Sequence, residues 1–359
     1  MNRRHAVLLA LAGMFTLAAC GDDSPQPWDF LEGTPTDPGI LLAVNLDKTL
    51  FMLQTGAPDE RASIALGTSS AVTPVGLAVR GTFAAVPLGN AASVAYVDLA
   101  TRTVERYFTF ASGNATGVAF VDQATVVVCN QTTDQCGKFD PAQGGNEITG
   151  LVAVTQFPAS VVAAGGRVFV VSSNLDDNYM QAGPGVVTEL NPATMEIVRT
   201  FEVGANPQYA AAANNRLYVV NSGDYGLNNG TLSVINLANN TVDPVISGFG
   251  DFPGPINIDS RGRAYISSFN YGTAVWSTIT TEFLKTPAVP LCVNSAGGAC
   301  RGAADATVAP NGDVYQAFFG SAATSEAAYY FVYDGDTFAL KDSIAVPLGP
   351  SGLVGATFD

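Results

Sequence analysis

The chain has 359 residues, with 16 Lys and Arg against 31 Asp and Glu for a formal charge of −15, and only 13% of its residues are charged. A hydrophobic content of 47% supplies a large core and excludes both a disordered chain and a coiled coil. The acidic balance argues against nucleic acid or an anionic membrane face as the partner, because each requires a basic patch.

Residues 1–19 have a short basic start (Arg3, Arg4), an apolar stretch from Ala6 to Leu17 and two small residues, the pattern of a removable signal peptide. The only histidine, His5, goes with it, so a histidine base or ligand is excluded for the mature protein. Leu17-Ala18-Ala19-Cys20 resembles the bacterial lipobox, which implies lipid attachment at Cys20 and cleavage just before it. Gly21 stands where an inner-membrane retention signal would place Asp, so the resemblance implies a lipid-anchored protein of the bacterial cell envelope, at the outer membrane. Residues 20–39 are rich in Pro, Gly and Asp and read as the lipidated cysteine and a flexible tether.

From residue 40 onward a four-strand meander recurs. Its plainest copy runs from Asn206 to Ile246, with strands Pro207 to Ala212, Arg216 to Asn221, Thr231 to Leu237 and Thr241 to Ile246. Further copies start at Pro74, Thr116, Pro158, Pro253 and Gly302, so successive starts lie 42 to 49 residues apart, the length of one propeller blade. Pro350 to Phe358 reads as a first strand without successors. Ile40 to Asn45, Thr49 to Leu53 and Arg61 to Leu66 read as three strands without a first. Joined, they predict an all-β, seven-bladed β-propeller over residues 40–359, its first blade closed by the C-terminal strand, which removes the open seam.

Leu217-Tyr218-Val219-Val220-Asn221, followed by Val234-Ile235-Asn236-Leu237 and then Val242, resembles the bacterial YVTN-type propeller repeat, with Val220 in place of the hallmark Thr. Val168 to Ser172 and Ala264 to Ser268 match in part. The resemblance implies a cell-surface or periplasmic binding or scaffold propeller; it bears on architecture more than on function.

Four cysteines remain after Cys20. Cys129 ends a strand whose hairpin partner begins with Cys136, and Cys292 and Cys300 flank one loop, so local disulfides are expected between Cys129 and Cys136 and between Cys292 and Cys300. Asn174 to Asn178 and Asn221 to Asp224 cluster the oxygen ligands that calcium or magnesium prefers, without the periodicity of a calcium loop, and such residues also dominate ordinary turns. No cofactor is therefore assigned, with Ca or Mg as the alternative. The chain has no nucleophile elbow, phosphate loop, dinucleotide fingerprint or haem-attachment motif.

In such a meander the second-to-third-strand loops share one face with the links between blades. Those loops are long and carry aromatics beside amides and acids, which makes Asn174, Asp176, Tyr179, Asn221, Asp224, Tyr225, Asn270, Tyr271 and Phe319 the candidate binding residues. The expected function is capture of an envelope protein, a peptide or a saccharide, without catalysis and with membrane contact only through the lipid. Two alternatives stand beside it: a metal-dependent, lactonase-like hydrolase with carboxylates and amides in the central channel, as in gluconolactonase-like propellers, and a scaffold subunit of an envelope complex.

Overall fold

A computed structural model describes residues 39–176 and 178–356. The signal segment, Cys20, Asp177 and Phe358 lie outside the described residues. All seven sheets are antiparallel meanders, each with its first strand innermost. Blade 1 consists of Ser351–Ala356, Ile40–Val44, Thr49–Gln54 and Ala57–Ala65, so the last strand of the chain completes the first blade. Blade 2 holds Ala78–Arg80, Phe83–Pro87, Ser93–Asp98 and Thr103–Thr109; blade 3 holds Ala115–Phe120, Val126–Asn130, Gln135–Phe139 and Thr149–Ala153. Blade 4 follows with Pro158–Ala164, Arg167–Ser172, Gly185–Leu190 and Ile197–Val203. Blade 5 has Pro207–Ala213, Arg216–Asn221 and Thr231–Asn236, with an outer edge split into Thr241–Val242 and Ile246–Ser247. Blade 6 comprises Ile256–Ile258, Arg263–Ser268, Gly272–Ser277 and Phe283–Lys285, and blade 7 comprises Asp305–Val308, Val314–Phe318, Ala328–Tyr333 and Leu340–Val346.

The ring has no single core. Seven apolar clusters lie between neighbouring blades, and the second strands feed two of them at once. Leu42 and Val44 pack toward blade 2, whereas Leu41 and Ala43 pack toward blade 7, because successive side chains point to opposite faces of a strand. This two-sided burial explains why second strands such as Arg167–Ser172 read as continuous apolar runs, while outer strands such as Leu340–Val346 are largely exposed.

Prolines explain the main departures from the expected strand limits. The strand expected from Pro74 is regular only over Ala78–Arg80, and that expected from Pro253 begins at Ile256 after Pro255, since proline donates no hydrogen bond to a ladder. Pro244 likewise divides the outer edge of blade 5. The two disulfides join Cys129 to Cys136 and Cys292 to Cys300. Cys129 and Cys136 face each other across adjacent strands, with Cα atoms 4.0 Å apart.

Candidate functional site: the loop rim and the channel

The second strands all run toward one face of the ring, here called the upper face, which gathers the second-to-third-strand loops and the links between blades. The lower face carries the first-to-second and third-to-fourth turns. On the upper face the links into blades 4, 5 and 6 share one device. Phe157, Asn206 and Phe252 adopt φ values of 60°, 51° and 50°, and each precedes the proline that starts the next segment. The hydroxyls of Ser173 and Ser222, just past the second strands of blades 4 and 5, donate to the carbonyls of Pro207 and Pro253 at 2.8 Å each. Each loop is thus tied to the blade that follows it.

This scaffold presents three exposed rings on consecutive blades. Tyr179 of blade 4, Tyr225 of blade 5 and Phe269 of blade 6 are 71%, 74% and 61% exposed. Each meets a second ring nearly edge-on: Tyr179 meets Phe157 at 5.5 Å, Tyr225 meets Phe252 at 5.8 Å and Phe269 meets Phe319 at 5.7 Å between centroids. Edge-to-face pairing is a favoured aromatic arrangement and biases the orientation of each exposed ring. Met180 and Leu227, also exposed, extend the apolar surface.

The polar candidates hold the loops in shape. Asp176 accepts the backbone N–H groups of Asn178 and Met180 at 2.9 Å each, and these bonds hold its carboxyl below the usual carboxylate range. The Asn174 amide donates to the Pro184 carbonyl at 2.8 Å. Asp224 accepts from the Asn229 amide at 3.0 Å, and Asn229 accepts the Asp224 backbone N–H in return. Asp251, which sequence reasoning passed over, joins two candidate loops: it accepts the Gly226 N–H at 2.7 Å and the Asn270 amide at 2.9 Å. Its position in a link rather than a loop gave no signal of that role.

Two candidates do not belong to the exposed rim. Asn221 is buried and donates to the hydroxyls of Thr231 and Ser233 at 3.0 and 2.9 Å. Tyr271 is buried too, its hydroxyl donating to the Phe249 carbonyl at 2.9 Å, and burial pushes its phenol up. Both are internal struts of the loops they were expected to display.

Inside the rim, the inner strands of all seven blades enclose a cavity of about 400 Å3 along the channel. Among the described residues its lining holds one carboxylate, Asp305. Asp305 accepts the Asn257 amide of blade 6 at 3.0 Å and the Leu353 N–H of blade 1 at 2.7 Å, so it ties three blades together. Burial pushes its carboxyl up to about 7 against these hydrogen bonds. No group of three or more His, Cys, Asp or Glu side chains that could hold a metal ion occurs among the described residues.

No protein-family model matches the chain, and no curated protein matches it. Solved structures do. Hydrazine synthase of Kuenenia stuttgartiensis superposes with a TM-score of 0.64 at 13% identity, covering 79% of this chain and 90% of that one. The dihydro-heme d1 dehydrogenase NirN, in complex with DHE, gives 0.60 at 13% identity, covering 90% and 76%. The computationally designed Ika8 protein gives 0.59 at 12% identity, covering 87% and 88%. The likeness is one of fold. Enzymes and a designed chain share this architecture, so the function has to be argued from the side chains.

Proposed function

We propose that the protein is a lipid-anchored propeller of the bacterial cell envelope, at the outer membrane, that captures a partner protein on its upper rim without catalysing a reaction. The observation that carries this reading is the row of exposed rings, Tyr179, Tyr225 and Phe269, each held by a second aromatic on a rigid blade. Rigid aromatic anchors beside hydrogen-bonding groups suit a protein surface, where Tyr side chains often dominate binding energy.

The test is affinity capture from envelope extract with purified protein as bait. A stoichiometric partner retained by the wild type and lost from Tyr225→Ala supports the reading. Equal capture by both would place the contact elsewhere.

A further inference from the structure

The repeat allows one position to be compared from blade to blade on the lower face. In blade 4 the second strand opens with Arg167, and Phe169 pairs with Glu189 of the third strand. The Arg167 guanidinium forks onto the Glu189 carboxylate at 2.8 and 2.7 Å and lies over the Phe169 ring. It also donates to the Leu237 carbonyl at 2.7 Å and to the Asn240 side chain at 2.6 Å, both in blade 5. An ion pair therefore fills the lower slot between blades 4 and 5. Arg263 does similar work between blades 6 and 7, donating to the Gly335 carbonyl and lying over Phe338.

Blade 2 has neither charge at these positions. Phe83 opens its second strand, and Tyr96 pairs with Ala85, the counterpart of Phe169. The two rings stack at 4.9 Å with planes 10° apart, and Phe120 of blade 3 lies 6.4 Å from Tyr96. Beside these rings lies a cavity of about 640 Å3, within the range of ligand pockets, walled by them with Arg80, Glu105, Arg106 and Gln123. Arg106 donates through one terminal nitrogen to the Gln143 carbonyl at 2.5 Å and the Gly145 carbonyl at 3.4 Å and lies over the Phe108 ring, while its guanidinium carries further N–H donors. Arg80 is exposed and forms no ion pair among the described residues, in a chain of charge −15.

The wall chemistry narrows the ligand. An aliphatic ligand would make no use of the exposed Arg80 or of the Arg106 donors that Gln143 does not engage. A bare anion would make no use of the rings. A pyranose has flat apolar faces that suit aromatic rings, and its hydroxyls both donate and accept, matching Glu105 and Gln123; a ring carboxylate matches the planar guanidinium fork. We propose that the slot between blades 2 and 3 is a binding site for a carboxylated pyranose, the uronate residue of an acidic saccharide. The site lies on the opposite face from the rim and does not depend on the rim's role.

The experiment is calorimetric titration of the intact protein with trigalacturonate, and with maltotriose as the uncharged comparison. Saturable binding of trigalacturonate that weakens with salt is expected, with little binding of maltotriose. Arg80→Gln should weaken affinity about tenfold, the scale of one lost charge-assisted contact. Phe83→Ala should abolish binding; because that ring is partly buried, the exposed Arg80 variant serves as the independent check on folded protein. Tyr225→Ala, on the other face, should bind trigalacturonate as the wild type does. Absence of saturable binding, equal affinity for maltotriose, an unchanged Arg80→Gln, or loss on Tyr225→Ala would each overturn the assignment.

Discussion

Ile40 pairs with Ala356, so the opening strand of the propeller lies against its closing strand. Leu353 of that last strand is buried between blades 7 and 1, and its N–H donates to Asp305. Deleting residues 350–359 removes this strand, exposes the edge of Ile40–Val44 and leaves the buried Asp305 with one partner fewer. A fall of about 10 °C or more in melting temperature by circular dichroism is expected; an unchanged transition would mean that the seam does not hold the ring.

The disulfides close short loops, with sequence separations of 7 and 8. Replacing Cys129 and Cys136 together with alanine should cost about 2 to 3 kcal/mol in denaturant unfolding. Peptide mapping without reductant should recover the two local pairs and no link between them.

The proposed lipid anchor is tested by Cys20→Ser. On the lipobox reading both processing and lipidation depend on that sulfur, so the variant should accumulate as an uncleaved or soluble form. Mature protein of this variant in the membrane fraction would refute the lipobox reading.

Tyr225 and Tyr271 should separate binding from stability. Tyr225 is 74% exposed and Tyr271 is 8% exposed. Tyr225→Ala is expected to lose partner capture with little change in melting temperature. Tyr271→Ala removes a buried ring and its hydrogen bond to Phe249, and should destabilise by about 3 to 5 kcal/mol, the scale of large-to-small aromatic substitutions in cores.

Asp305 predicts a pH dependence. Its folded pKa, pushed up to about 7 by burial, lies above that of an unfolded aspartate, so the native state binds the proton more tightly. This group's contribution to stability is therefore fully present in acid, below the unfolded pKa, and is lost as pH rises through the folded pKa. Tyr209 and Tyr330, which feel its charge, are pushed up by burial and stay neutral across this range. The melting temperature of the wild type minus that of Asp305→Asn should fall from pH 5 to pH 8. A difference independent of pH would show that the carboxyl titrates normally.

The blades were legible because their second strands are apolar throughout and their turns carry Gly and Asn at regular spacing. Gly165-Gly166 and Asn214-Asn215 all take positive φ, as tight turns require, and mark blades 4 and 5 well. Local disulfides were legible for the same reason, since hairpin register puts Cys129 opposite Cys136. Burial within a loop was not. Tyr271 and Tyr225 occupy similar stretches of sequence, and only the return of the chain past Phe249 decides which ring is covered. The slot at Phe83 and Tyr96 escaped notice because its meaning lies in comparison with Arg167 and Glu189, and strand register is needed to align the two pairs.

Because Ile40 begins a second strand and Ala356 ends a first, the two ends of the described chain meet on the lower face. A lipid at Cys20 would therefore hold the propeller from below, at a distance of at most about 65 Å for a fully extended tether. The rim of Tyr179, Tyr225 and Phe269 would then point away from the bilayer that holds it. The slot at Phe83 would open toward that bilayer, in reach of saccharides lying close to the membrane surface. One anchored molecule could in this way stand between a surface polymer beneath it and a protein approaching from above.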